Sequence, residues 1–350
     1  MATKIVLKNA SIEGKLQDVT IIDGKIAEIG KTDVGGIDCG GHLLLPGLVD
    51  IHTHGCMGLD VMDSDLADMA RHYRKAGVTA FLPTTMTMPL ADLRAVTAHI
   101  PESDGAQILG FHLEGPYISE AAKGAQNAAH ICEPSPEEFS TIPHVKMVTI
   151  APELPGAIQF IERCEAIVSL GHTTADYDTC LAAANAGAKC LSHTCNAMPL
   201  LHHRAPGPIG AALDAKMYAQ VICDGIHIHP AMVRVLYGLF GKERMILISD
   251  SMRATGMPDG AYNFGGQKML VKDGIARTED GALAGSTSTL LDCVKQAIAM
   301  GIPSADAFYM ASATPAKLLG VNKGLLKVGY DADFILLDKD FNLIDTFIFS

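Results

Sequence analysis

The sequence predicts an α/β fold, a (β/α)8 TIM-like barrel with a small β-sandwich built from both chain ends. Three observations lead there. Strand-like apolar runs alternate with amphipathic stretches through the middle of the chain, the pattern of a parallel sheet with helical crossovers. Eight such runs can be counted, the number that closes a barrel of roughly 250 residues. Short alternating β segments occupy both ends and enclose that middle.

At the start, KIVLKNASIEG, DVTIIDGKIAEIG and IDCGGHLLLPG alternate apolar and polar residues, with turns at Asp23-Gly24 and Gly40-Gly41. GLLKVGYDADFILLDKDFNLIDTFIF returns to that texture at the other end. Residues 1–46 and 322–350 are therefore expected to form one small domain, and residues 47–321 the barrel. The eight runs are GLVDIH (47–52), AFLPTT (80–85), QILGFHLE (107–114), KMVTIAP (146–152), AIVSLGH (166–172), KCLSH (189–193), AQVICDGIH (219–227) and MILISD (245–250). Helical stretches such as DLADMARHYRKAG and TADYDTCLAAANAGA separate them, and TLLDCVKQAIAMG and ADAFYMASATPAKLLG supply the last barrel helices. No Gly-rich dinucleotide loop follows the first run, which sets aside an open doubly wound sheet.

Composition narrows the function. Of 350 residues, 48% are apolar and 19% charged, a globular balance. No apolar run approaches the roughly 20 residues of a membrane span, and MATKIVLKNASIEGK has no apolar core of a secretory signal. A net charge of −12 argues against a nucleic-acid partner, while leaving room for a small phosphorylated ligand held by a few local cations. Nine cysteines without a CxxC pair suit reduced thiols in a cytoplasmic protein.

Six of the eight runs end in a titratable residue: His52 with His54, then Glu114, His172, His193, His227 and Asp250. In a parallel barrel every strand points its C-terminal end to one face, so these side chains converge there. One buried titratable group is usually a satisfied core residue, but six at the same topological position call for chemistry. Histidine and carboxylate together are the ligand set of zinc or a similar divalent ion. His52-Thr53-His54 is an H-x-H on a strand, which directs both imidazoles to one side. Asp250 is placed to accept a proton from water once a divalent ion has lowered its pKa to ~7.

At PGLVDIHTHG and at the closing KGLLKVGYDADFILLD the chain resembles the amidohydrolase superfamily. Within it, GFHLEGPYIS, SLGHT, SHTCNAMPLLHHRAPG, ICDGIHIHP, ISDSM and GALAGS resemble, in order and over nearly the whole chain, the N-acetylglucosamine-6-phosphate deacetylase family. The resemblance implies Glu114, His172 and His193 as metal ligands and Asp250 as general base and then acid. Because His52 and His54 are kept, it implies two divalent ions, zinc or iron, with Glu114 bridging, where members lacking the H-x-H hold one. It further implies a phosphate held around Asn196 and Ala197 with Arg204 and His227, and a sugar lined by Leu283, Ala284 and Gly285. After Lys123-Gly124 some members place a His that polarises the acetyl carbonyl; here Ala125 and Gln126 follow, and Gln126 donates a hydrogen bond without carrying charge. The implied substrate is a phosphorylated N-acetyl amino sugar, and the implied assembly a homodimer whose neighbouring subunit completes the phosphate site.

Other residues read more plainly. His202 and His203 fit a solvated loop, His229 before Pro230 opens a helix, and His112, alternating with Glu114, fits a supporting role beside the ligands. Cys56, Cys195 and Cys223 read as small packing residues. Dihydropyrimidinase-like relatives need a lysine at the end of the fourth strand, which here ends TIAPE with Lys146 at its start. Deaminase-like relatives lack the glutamate found here in HLEGP, and a non-catalytic sugar-phosphate binder would have lost a ligand or the base. The galacto epimer of the substrate stays open, because epimer choice rests on loop contacts.

Overall fold

The computed structural model describes residues 3–350. Among them, eight parallel strands follow one another around a barrel: Leu48–Thr53, Val78–Thr85, Phe111–Glu114, Val145–Ile150, Ile167–Leu170, Cys190–Leu191, Tyr218–Ile222 and Met245–Ile248. The ladder runs unbroken from first to eighth, with pairs such as Asp50 with Phe81, Glu114 with Thr149 and Gln220 with Ile246. Closure between the eighth and first strands is made by Asp250, whose backbone N–H donates to the His52 carbonyl at 2.9 Å, and by Ser249, whose hydroxyl donates to Asp50. The first two strands are buried along their whole length, as expected where a parallel sheet has side chains inside and helices outside.

Local chemistry explains the helices. Asp65 caps Leu66–Lys75 by accepting from the N–H groups of Ala67 and Asp68, and Asp176 caps Tyr177–Ala186 through Thr179. Thr289 and Asp292 form a reciprocal capping box at the start of Leu290–Ala299. His229 does open a helix, accepting from Ala231 with Pro230 at the first position of Pro230–Phe240.

Three expectations need correction. The third run is broken: Gln107–Ile108 and Phe111–Glu114 are separate strands, because Gly110 sits at φ +124° between them. The final helical stretch is two helices, Ser304–Met310 and Ala313–Leu319, parted at Ser312, whose hydroxyl turns back to the Phe308 carbonyl at 2.7 Å. Residues between Asp250 and the last barrel helices, assigned no structure from sequence, fold as an antiparallel sheet of Gly260–Phe264, Gln267–Lys272 and Ile275–Thr278. Its turns at Gly265-Gly266 and Asp273-Gly274 and its alternation were the legible signals. Phe264, Met269 and Val271 bury its inner face against Met86 and Met252 at the barrel mouth.

The two chain ends join in one sheet, ordered Leu343–Ile348, Asp333–Leu337, Leu43–Pro46, Lys4–Ile12, Lys15–Ile22 and Lys25–Ile29, with Ile37–Asp38 also on Lys4–Ile12. The far edge curls back, since Ile26 N–H donates to the Tyr330 carbonyl at 2.9 Å and Ala332 N–H to that of Gly24 at 2.8 Å. The two layers of the expected sandwich are thus halves of one continuous sheet, folded over Leu7, Val19, Ile26, Leu44 and Phe334.

Candidate metal centre

The residues expected at the strand ends do converge, but several sit one or two positions beyond the last hydrogen-bonded strand residue. His172, His193 and Asp250 adopt left-handed backbone, with φ of +46°, +26° and +47°. Such conformations cost of order 1–3 kcal/mol each and persist only where the surroundings impose them. Here each carbonyl is claimed: His172 by the Ser119 N–H at 2.9 Å, His193 by the Asn196 N–H at 2.9 Å, Asp250 by the Ser286 N–H at 2.7 Å.

Four imidazole Nε2 atoms surround two carboxylates. Glu114 Oε1 lies 3.1 Å from His52, 3.2 Å from His172 and 2.9 Å from His193. Its other oxygen, Oε2, lies 3.3 Å from His54, and Asp250 Oδ1 lies 3.3 Å from His54 and 3.7 Å from His52. All six side chains are buried. Three of the four opposite ring nitrogens are tied to oxygens: His52 Nδ1 to Gln220 Oε1 at 2.9 Å, His54 Nδ1 to the Thr84 carbonyl at 3.0 Å, and His172 Nδ1 to the Ala122 carbonyl at 2.9 Å. A carbonyl can only accept, so Nδ1 carries a proton in these three rings and Nε2 is the nitrogen turned toward the carboxylates.

Electrostatics follow from this crowding. Burial pushes the Glu114 carboxyl up, but the His52, His172 and His193 rings outweigh it and hold it well below the usual carboxylate range. Burial opposes a charge on His54, yet its bonds to Asp250 and Glu114 raise it to about 10. His193 is lowered by burial and by His172, and Asp50 is pushed by burial up to about 6 despite its bond from Ser249. The field that draws protons toward the two carboxylates draws a divalent cation equally. Two further observations fit a cation: the buried, inward His52 Nε2 finds no hydrogen-bond partner, and the Nε2 atoms of His172 and His193 face each other at 3.0 Å. Two overlapping donor groups stand out, His52, Glu114 and His193 and then His52, His54 and Asp250, with Glu114 Oε1 toward His52, His172 and His193 and its Oε2 toward His54.

A cavity of about 370 Å³ opens on this cluster. Gln126, Asn196, Ala197, His227, Leu283 and Gly285 line it, as the sequence led one to expect. Two expected residues do not. Ala284 turns its side chain into the packing of the antiparallel sheet. Arg204 is exposed in a separate concavity with Tyr177 and Pro199, its guanidinium 2.7 Å from His203 Nε2.

Residues 43–350 match the Amidohydrolase family. The chain belongs to that family. It is 42% identical over 339 residues to an N-acetylglucosamine-6-phosphate deacetylase of Vibrio furnissii, spanning 91% of this chain and 85% of that protein. It is 39% identical over 349 residues to an N-acetylgalactosamine-6-phosphate deacetylase of Escherichia coli O157:H7, spanning 93% and 92%. Among solved structures, an N-acetyl-D-glucosamine-6-phosphate deacetylase of Mycobacterium smegmatis in complex with N-acetyl-D-glucosamine-6-phosphate superposes with a TM-score of 0.91 at 30% identity, covering 99% of this chain and 98% of that one. That of Thermotoga maritima superposes at 0.88 and 34% identity, covering 100% and 98%.

Several parts of this amidohydrolase site escaped the sequence reading. Gln220, which receives the His52 proton, is a fully buried amide in an apolar strand, and that contrast was the available signal. Asp224 accepts from His227 Nδ1 at 2.6 Å and from the backbone N–H groups of Ile226 and His227. Burial opposes a charge on His227, but Asp224 raises its pKa overall and leaves Nε2 as the free end of the ring. Phe264, brought by the unforeseen antiparallel sheet, lines the cavity and meets the His54 ring edge-on at 5.2 Å. Among the described residues no helix is long and apolar enough to cross a membrane.

Proposed function

We propose that this chain hydrolyses the N-acetyl group of N-acetylglucosamine 6-phosphate, giving glucosamine 6-phosphate and acetate. The observation that carries the reading is the ring of four inward-facing imidazoles around Glu114 and Asp250, beside a cavity of sugar size. The deacetylase relatives support the substrate. His52, His54 and Asp250, with Glu114, His172 and His193, would hold one or two divalent ions, zinc or iron, and the complete donor set favours two. When bound, such an ion supplies Lewis acidity, polarising the amide carbonyl and lowering the pKa of water to ~7.

The chain's own groups do the rest. Asp250 accepts a proton from water as its oxygen attacks the acetamide carbon, and returns that proton to nitrogen as the C–N bond breaks. Asn196, the Ala197 backbone and His227 bind the phosphate, and the backbone around Leu283 and Gly285 borders the sugar. Phe264 excludes water from the His54 side. Since Arg204 faces away from this cavity, its phosphate role belongs to a homodimer in which it reaches the neighbouring subunit's cavity. The division into 1–46 with 322–350 and 47–321 is part of the same reading, supported by the distinct apolar cluster around Leu7, Val19 and Phe334, with Ile335 and Leu337 packing on the barrel side. So is a cytoplasmic location, which suits an unpatterned set of nine cysteines. A second reading, the same reaction on N-acetylgalactosamine 6-phosphate, is favoured by the Escherichia coli relative.

The test is acetate release from both phosphorylated epimers and from unphosphorylated N-acetylglucosamine, before and after chelation. Release from the phosphorylated gluco sugar alone, abolished by chelator and restored by zinc or iron, is expected. Release from the galacto epimer alone would move the assignment to the second reading, and no release from a folded, metal-loaded protein would overturn both.

A further inference from the structure

A closed hydrogen-bond circuit surrounds Glu114. We propose that Gln126 and Thr87 are positioning residues that lock the Glu114 carboxylate, so that Gln126 acts on a metal ligand and not on the acetyl carbonyl. The proposal rests on the reading of Glu114 as a metal ligand.

Thr87 lies two residues past the second barrel strand and holds Glu114 once directly and once through Gln126. Its hydroxyl donates to the Glu114 backbone carbonyl at 3.1 Å, and its backbone N–H donates to Gln126 Oε1 at 2.7 Å. Gln126 Nε2 then donates to Glu114 Oε2. A backbone N–H can only donate and an ionised carboxylate can only accept, so both neighbours dictate the same orientation of the amide. The Gln126 nitrogen also lies 3.8 Å from Met86 Sδ, which occupies its remaining side. Gln126 is only 2% exposed and Thr87 fully buried, so water does not compete for these bonds.

The backbone is built to allow the approach. Gly115, at φ +85°, follows Glu114, and a Cβ there would meet Thr87 Oγ1 at 2.1 Å. The antiparallel sheet adds a tie from outside, with Gln267 Nε2 donating to the Ala125 carbonyl at 2.6 Å.

The circuit has a physical purpose. The last torsion of a glutamate is soft and nearly two-fold, so an unrestrained carboxylate turns easily. Here Oε1 must face His52, His172 and His193 while Oε2 faces His54. One bond donated to Oε2 distinguishes the two oxygens. A neutral amide does this without cancelling the carboxylate charge that a cation needs, whereas a protonated imidazole would oppose the cation.

The experiment is chelator competition with zinc as the probe ion and no substrate, on wild type, Gln126→Leu, Gln126→His and Thr87→Val, with KM and kcat measured in parallel. Gln126→Leu should weaken zinc binding by about 10- to 100-fold, with KM for the acetylated sugar phosphate within about twofold of wild type. Gln126→His should retain affinity near wild type, because its ring offers one accepting and one donating nitrogen. Thr87→Val, which keeps the N–H and loses the hydroxyl, should show a smaller loss. Unchanged zinc affinity in Gln126→Leu, with a raised KM instead, would overturn the proposal in favour of a direct substrate contact. If Gln126→Leu does not fold, unchanged affinity in Thr87→Val overturns it equally. A wild-type protein that takes up no zinc or iron would instead sink the metal reading itself.

Discussion

Buried charge is handled in opposite ways at the two ends of this molecule. In the terminal sheet, Asp18 accepts from Lys8 at 2.8 Å and from the N–H groups of Asn9 and Thr32, and Lys323 lies between Asp331 at 2.9 Å and Asp333 at 2.5 Å. Each charge there has its opposite, and the left-handed residue beside Asp18 is Asn9 at φ +52°, a residue type that tolerates that conformation, at a strand irregularity. At the barrel mouth two carboxylates sit among four imidazoles, the inward His52 Nε2 has no partner, and His172, His193 and Asp250 hold left-handed backbone. The first arrangement is complete within the chain and stabilises it. The second is complete only with something else between the side chains, and it carries a conformational cost that stability alone would not retain.

If that contrast is sound, substitutions at the two ends separate activity from stability. The largest effect is expected for Asp250→Asn, which should lower kcat by on the order of 10²- to 10⁴-fold while leaving the thermal midpoint unchanged or raised. Steady-state kinetics and a melting curve on the same sample check it, and a large loss of stability would mean that Asp250 is structural. Lys323→Met should do the converse. It leaves Asp333 buried without its cation, while Asp331 keeps Lys25, at a cost of about 3 kcal/mol, with kcat and KM retained; denaturant unfolding measures the loss.

The smallest effect sharpens the comparison through pH. The bond from Lys8 holds the Asp18 carboxyl well below the usual carboxylate range. A carboxyl depressed in the fold contributes fully above its unfolded value of about 3.9 and loses that contribution as pH falls toward the folded one. The stability gap between wild type and Asp18→Asn should therefore be constant from pH 7 to 5 and shrink below about pH 4. A gap that widens below pH 4 would contradict the pairing.

Much of the site was legible. His52, His54, Glu114, His172, His193 and Asp250 were found because an apolar run ending in a titratable residue is a local pattern, and parallel strands place such ends together. Positions just outside the strands were less legible. Nothing in the sequence around His172 or His193 announces left-handed backbone, since only the N–H groups of Ser119 and Asn196 on their carbonyls impose it. The antiparallel sheet over the mouth was missed although its turns were visible, because short polar-faced strands between Asp250 and a helix read equally well as loop.

By itself, then, the sequence determined the order of strands and helices, the β character of both ends and the identity of the inward-facing groups at the mouth. These depend on period, run length and residue chemistry, all of which are local along the chain. The tertiary structure alone decided which oxygen of Glu114 faces which imidazole, that Gln126 is engaged by Thr87 and Glu114, that Asp224 orients His227, and that Arg204 turns away from the cavity. Thr87, Glu114 and Gln126 come from three separate segments. Their contacts exist only once the barrel has closed, because directional hydrogen bonds between distant segments leave no periodic trace in the chain that makes them.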